Sequence, residues 1–155
     1  MPSSQPVWTD SVSARLAVQD AVVRMFVATD ERDWPTLEAC FTDPFMLDMT
    51  SLAGGSPSTV TPRQISTTWA QAFEPLDHVH HQVSNFRIAV STSQASVRCH
   101  GVAFHHRNNA VGLKTRMFVG TYELLLIPSA RSWQISQLTF KLKFVDGNLT
   151  LENPG

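Results

Sequence analysis

The sequence predicts an α+β fold in which helices come first and an antiparallel sheet follows, and three observations carry that prediction. Before residue 75 the apolar residues recur at helical spacing. From about residue 80 the period changes to two. The turns Ser91 to Gln94, Asn108 to Gly112 and Pro128 to Arg131 then separate strands near 82 to 90, 95 to 107, 115 to 128 and 132 to 145, which leaves no room for helical crossovers.

The first helix spans residues 11 to 29, with Val18, Ala21, Val22, Met25, Phe26 and Thr29 on one stripe and Asp10 and Ser11 available as caps. A second, short helix begins around Asp33, tolerates Pro35 in its first turn, turns Leu37, Cys40 and Phe41 inward, and ends near Thr42. Phe45 to Met49 adds a short strand, and Ser51 to Thr61 is the longest low-complexity loop, placed to act as a flap. Thr61-Pro62-Arg63-Gln64 supplies an N-cap, a proline at the first helical position and a capping-box glutamine. Ile65, Trp69 and Phe73 then repeat every four residues until Pro75. In the last strand Leu138, Phe140, Leu142 and Phe144 share one parity, whereas Trp133 and Ile135 sit on the other, so a bulge or bend is expected near Ser136. Three helices ahead of so strongly bent a sheet predict that the sheet curls into a cone-shaped barrel with the helices over its hollow.

The 155 residues suffice for one domain, and 43% of them are hydrophobic. Only 16% are charged, against about 25% in an average soluble chain, which points to a covered face or a large apolar pocket. Twelve Lys and Arg against thirteen Asp and Glu give a formal charge of -1 with no run of either sign, so neither a nucleic-acid partner nor a polybasic membrane anchor is expected. Two cysteines are too few for a disulfide scaffold. The start MPSSQPVWTD lacks the basic and apolar regions of a leader, and no run approaches the roughly 20 apolar residues of a membrane span. A cytoplasmic location is therefore expected.

Candidate chemistry concentrates on a few residues. The stripe of the first helix continues Val22, Phe26, Asp30, which sets a carboxylate on the inward face, where it needs a partner. Alternatively the helix has already ended and Asp30 is a solvated residue of the turn DERD. Five of the six histidines cluster: His78, His80 and His81 before one strand, and His105 and His106 at the end of the next. A tight turn joins those two strands, so His81 and the His105/His106 pair lie at the same end of a hairpin. A histidine whose one nitrogen donates to a buried carboxylate is held in a single tautomer and becomes a better base at the other. His78 and His80 read better as polar strand-end residues. The histidine cluster lacks a Glu or Cys at ligand spacing, so no metal is expected, and Cys40 and Cys99 read as small core residues. Asp48 lies on the early strand and points either into the hollow or out to solvent.

The stretches AVQDAVVRMFVATDERDW, LEACFTDPFMLDMTSLAGG, HHQVSNFRIAV, VRCHGVAFHHR, SWQISQLTF and DGN, taken in order, resemble the SnoaL-like branch of the nuclear-transport-factor-2-like superfamily of cone-shaped α+β barrels. The resemblance runs from about residue 11 to 148 and implies a single domain over 1–155. It is similar in its motifs to scytalone dehydratase and lindane dehydrochlorinase, whose Asp-His pair corresponds to Asp30 and His81. The dehydratase's second pocket histidine corresponds to His106 or, with one residue of slippage, His105. The ketosteroid-isomerase base falls near Asp48. The dehydratase's two substrate-side tyrosines fall where this chain has Thr29 and Met49, which argues against that substrate. The only tyrosine is Tyr122.

The resemblance and the residues together imply a lyase or isomerase, dehydratase-like and free of cofactors, acting on a small hydrophobic cyclic molecule. Phe26, Trp69, Phe73, Phe104, Phe118 and Phe140 are expected to line its barrel. Asp30 would orient His81 as the base, while His105 or His106, with Tyr122, would hydrogen-bond the leaving or developing oxygen. Two other readings stay open: a non-catalytic binding or dimerisation module, and a SnoaL-type polyketide cyclase with Asp48 as base. The resemblance also implies a homodimer, formed through an exposed sheet face carrying Val97, Cys99, Val119 and Leu125.

Overall fold

The computed structural model describes residues 10–130 and 132–153. Most of the segment read for a leader, residues 1–9, and Arg131 lie outside the described residues.

Helix α1 runs Val12–Asp30 and is capped by Ser11, whose side chain accepts from the Ala14 amide at 3.1 Å. Helix α2, Trp34–Ala39, starts on Asp33, which accepts from the Thr36 amide. Strand β1 covers Phe41–Asp48, and the expected flap contains a one-turn helix α3, Thr50–Ala53, and a short strand β2, Ser58–Val60. Ser51 Oγ donates to the Phe140 carbonyl at 2.7 Å and accepts from the Leu142 amide at 2.9 Å, so the start of this segment is fixed to the sheet. Helix α4, Pro62–Phe73, opens with a complete capping box between Thr61 and Gln64. Strands β3, His78–Val90, β4, Ala95–His106, β5, Thr115–Pro128, and β6, Trp133–Gly147, complete the chain.

The six strands form one curled, unclosed sheet in the order β2-β1-β6-β5-β4-β3. All neighbours are antiparallel except β1 and β6, which run parallel. That pair corrects the expectation of a wholly antiparallel sheet. Almost the whole sheet-forming chain separates the two strands, so no hairpin dictates their direction. The bend predicted near Ser136 is present: Leu125 faces Gln137 and Leu126 faces Ile135, leaving Ser136 as an extra residue. A second bulge falls at Lys143, since Val119 faces Phe144 and Gly120 faces Leu142. Bulges bend and twist the strand that carries them, which is how this sheet curls around its hollow.

The hydrophobic core lies between the inner sheet face and the helices, with Val18, Val22 and Met25 of α1 against Cys99, Leu124, Leu126, Ile135 and Leu138. On β4 the inward residues are Ala95, Val97, Cys99, Gly101, Ala103 and His105. Val97 and Cys99 therefore belong to the core and not to the exposed face assigned to them, and only Val119 and Leu125 of that group are partly exposed. Phe104 sits on the outer parity, with its ring 6.5 Å from that of His80, and does not line the barrel. Small residues occupy the middle of inner β4 because aromatic rings of the neighbouring strands lie over them. Reading hydrophobicity alone inverts that face.

Candidate active site

The concave sheet face and the helices enclose a cavity of about 440 Å³, within the usual range for small-ligand sites. Its walls are mostly apolar, with Phe26, Trp69, Phe73, Phe118, Leu138 and Phe140 prominent, and α3 closes one side with Leu52 and Ala53. Thr29 and Met49, the positions discussed for tyrosines, also line it, and Thr29 Oγ1 already donates to the Met25 carbonyl at 2.8 Å.

Asp30 is the last residue of α1, two turns beyond Val22 on the buried stripe. It faces β3 because α1 packs along that strand. The turn after α1 is fastened there by Arg32, which adopts φ 57° and donates to the carbonyls of Phe73 at 3.0 Å and Leu76 at 2.5 Å. The Asp30 carboxylate accepts two bonds from one residue: the His81 backbone amide reaches Oδ2 at 2.8 Å and the His81 ring Nδ1 lies 2.6 Å from Oδ1. The two side chains are only 15% and 11% exposed. Phe26 flanks the imidazole with ring centroids 5.3 Å apart. The amide and ring contacts together leave the imidazole one orientation, with Nδ1 directed at the acid and His81 on the cavity wall.

β3 begins at His78, earlier than expected, so the three histidines lie within the strand and its alternation sorts them. Val79 and His81 face inward, while His78 and His80 are exposed. His80 Nδ1 stays 3.9 Å from Asp30 Oδ2.

Across the cavity, His105 is 9% exposed and lines the wall between Phe73 and Phe118. Burial first, then the Arg116 and His81 charges, push its pKa down to about 4. His106 points to the other face, where Nδ1 meets Thr115 Oγ1 at 2.7 Å and Nε2 meets Asn108 Oδ1 at 3.3 Å. Of the two histidines left as alternatives for the second catalytic position, His105 is the one on the cavity wall, and His106, named beside it, lies outside the cavity. Asp48 is outside it as well. Its Oδ1 accepts from the Thr50 amide at 3.0 Å and hydroxyl at 2.7 Å, bonds that lower its carboxyl pKa and spend it on capping α3. A substrate-binding or cyclase-base role for Asp48 has no geometric support.

Tyr122 is buried, edge-on to Phe26 at 4.8 Å and tilted on Phe140 at 4.7 Å, and burial raises its phenol pKa well above the usual value. Among the described residues only Thr121 Oγ1 is both sealed and unpartnered. The Tyr122 hydroxyl and His105 Nε2 also have no hydrogen-bond partner among the described residues but are not sealed, and both residues line the cavity.

Two site residues went unread in the sequence. Arg116, on β5, lines the cavity and donates from Nε and Nη2 to His105 Nδ1 at 3.3 and 3.1 Å. Glu152 pairs with Arg116 through both oxygens, with Nη1 to Oε2 at 2.9 Å and Nη2 to Oε1. The available signal for Arg116 was its inward parity with Phe118 and Tyr122 on a strand of otherwise apolar inner residues. Among the described residues no group of three His, Cys, Asp or Glu is placed to hold a metal ion. No described helix is long and apolar enough to cross a membrane.

A curled α+β cone with helices over its hollow is the nuclear-transport-factor-2-like fold. The chain belongs to the SnoaL-like domain family, whose model matches residues 10–139. Among solved structures it is similar to the Kfla4162 protein of Kribbella flavida, at 20% identity and TM-score 0.85, covering 92% of this chain and 99% of that one. A candidate scytalone dehydratase from Novosphingobium aromaticivorans matches at 19% identity and TM-score 0.72, covering 93% and 97%. Hexachlorocyclohexane dehydrochlorinase LinA-type3 from Novosphingobium barchaimii matches at 15% identity and TM-score 0.72, covering 90% and 92%. At such identities the likeness is one of fold. No curated protein matches the sequence.

Proposed function

We propose that the protein is a lyase or isomerase that needs no cofactor, in which His81, oriented by Asp30, removes a proton from a small, hydrophobic, cyclic carbonyl or hydroxyl compound. The observation that carries this is the double contact of Asp30 with His81, 2.8 Å to the amide and 2.6 Å to the ring, at the wall of an apolar cavity. With Nδ1–H donated to the carboxylate, the ring's lone pair is on Nε2, which is the atom that takes the substrate proton. The electron pair left on carbon either expels a leaving group or moves onto a conjugated oxygen, and His105 Nε2 and the Tyr122 hydroxyl are the groups that meet the charge developing there. In the elimination case the products are an alkene and either water, formed when the departing hydroxyl takes up the proton held by His81, or a halide ion, with the His81 proton then passing to solvent. In the isomerisation case His81 returns its proton to a second carbon.

The names of two structural neighbours, a dehydrochlorinase and a candidate dehydratase, denote eliminations and agree with this reading. The test is turnover of a panel of uncharged cyclic hydroxy-ketones and halocarbons by the wild-type protein and by His81→Ala and Asp30→Asn. Loss of about a hundred to ten-thousand fold in kcat/KM is expected for His81→Ala, with the fold retained. Near-normal turnover by that variant refutes the dyad. Saturable binding of panel compounds with no turnover by the wild type would assign the cavity to a binding module instead.

A further inference from the structure

Among the described residues, the one arginine or lysine that lines the cavity, Arg116, is already committed. Arg116 spends Nε and Nη2 on His105 Nδ1 and both terminal nitrogens on the Glu152 carboxylate. A guanidinium has donors and no acceptor, so the nitrogen it meets must present a lone pair. A neutral imidazole accepting at Nδ1 carries its hydrogen on Nε2, the atom with no hydrogen-bond partner among the described residues. Phe118 holds the guanidinium from another side, with its carbon 5.2 Å from the ring centroid. Glu152 is itself placed by Arg107, which donates to the backbone carbonyls of Leu151 at 3.3 Å and Glu152 at 2.5 Å.

We propose that Arg116, held by Glu152, is a positioning residue that fixes His105 as the Nε2–H tautomer, a neutral hydrogen-bond donor facing an uncharged substrate. The inference about the substrate rests on the cavity being the active site. The inference about the tautomer does not. Because Arg116 and Glu152 form a matched pair, no free positive charge is left to recognise a carboxylate or phosphate, and the ligand that suits the wall is a neutral molecule with an oxygen or halogen acceptor. The two imidazoles then divide the work by tautomer: His81 accepts at Nε2, and His105 donates there.

The charged and titratable groups that bear on His105 are Arg116 of β5, Glu152 of the C-terminal segment, His81 of β3 and Asp30 of α1. The test is nitrogen-15 NMR of the imidazoles in the full chain, without substrate. In wild type His105 is expected to show a hydrogen-bearing Nε2 and a bare Nδ1 at pH 7, remaining neutral well below the pH at which a free histidine titrates. Arg116→Met is expected to mix the tautomers and move that titration upward, and Arg116→Lys, which keeps a donor and the charge, to restore the wild-type signature in part. With a substrate in hand, Arg116→Met should lower kcat about tenfold to a hundredfold while KM moves less than threefold. A wild-type His105 found as the Nδ1–H form, or protonated at pH 7, overturns the proposal without any variant. So does an Arg116→Met protein whose tautomer is unchanged. If His81→Ala keeps its turnover while His105 is the Nε2–H form, the dyad fails and this assignment stands. Tight binding of carboxylate-bearing analogues, added to the panel for this purpose, would refute the uncharged-substrate part alone.

Discussion

A neutral histidine walled in beside an arginine makes the stability of the fold depend on pH. Unfolding returns His105 to water, where it titrates near 6.5, whereas in the folded chain burial, Arg116 and His81 hold it down to about 4. Below about pH 6.5 the unfolded chain therefore binds a proton that the folded chain refuses, and stability falls as pH drops toward 4. The loss from this group is expected to reach roughly 3 kcal/mol at the lower end. Urea unfolding at pH 7.5 and 4.5, for wild type and His105→Gln, checks it: the variant should lose that share of the pH dependence, and an unchanged slope would remove His105 as its source. The helical period sets Asp30 on the apolar stripe, with a solvated turn as the alternative, whereas His81 falls before its expected strand and is singled out by its place at the hairpin end and by the resemblance. His105 and His106 were not separable, since adjacent strand residues differ only by parity and parity was set by residues elsewhere.

At the level of the strands, the shape of the cavity floor is decided by two glycines that pair across β4 and β5, Gly101 with Gly120. A Cβ on Gly101 would lie 2.2 Å from Tyr122 Cε2, and one on Gly120 would lie 2.5 Å from the Lys141 carbonyl oxygen and 2.6 Å from the Phe140 ring. The Tyr122 ring occupies the place of a Gly101 side chain and the Phe140 ring that of a Gly120 side chain, and both residues line the cavity. Gly101→Ala has only the Tyr122 ring to displace, so the expected outcome is a folded protein destabilised by about 1–3 kcal/mol with Tyr122 moved. Gly120→Ala meets backbone as well and should cost more. Melting curves rank the two, and near-UV circular dichroism reports the moved Tyr122 in Gly101→Ala. If Gly101→Ala is as stable as wild type with an unchanged aromatic signature, the floor is not packed this way. The same glycines explain why the inner face of β4 was misread. Val102 and Phe104 are more hydrophobic than Gly101 and Ala103, yet the larger pair faces outward because the rings of β5 and β6 already fill the space above the smaller one. The helix starts and the Ser136 bulge were legible because capping residues and a parity switch are local signals. The parallel β1–β6 pair has no local signal of any kind.

Across the whole molecule, the C-terminal segment joins the site to a second, small cluster at one end of the sheet. Leu151 is fully buried against Leu76 and Val79, with Phe73 and Ala110 beside it, and the next residue is the Glu152 that grips Arg116. Phe73 also contributes to the cavity wall and stands edge-on to His105 at 5.4 Å, so the cluster and the site share a side chain. This tail fell outside the expected core of about 11 to 148, because one leucine among polar residues has no period to read. Its role is a matter of packing. Leu151→Ala is expected to destabilise the fold by about 2–5 kcal/mol, the usual range for emptying a buried leucine site. It should also release Glu152, so that amide hydrogens of the last strand and tail exchange faster and His105 loses its single tautomer while the rest of the sheet stays protected. Hydrogen exchange read by mass spectrometry, together with the nitrogen-15 spectrum of the same variant, separates the two effects. Faster exchange with an unaltered His105 would mean that the tail is only a structural plug. Both changes together would mean that the chemistry at the cavity wall is tuned by the packing of residues that never touch it.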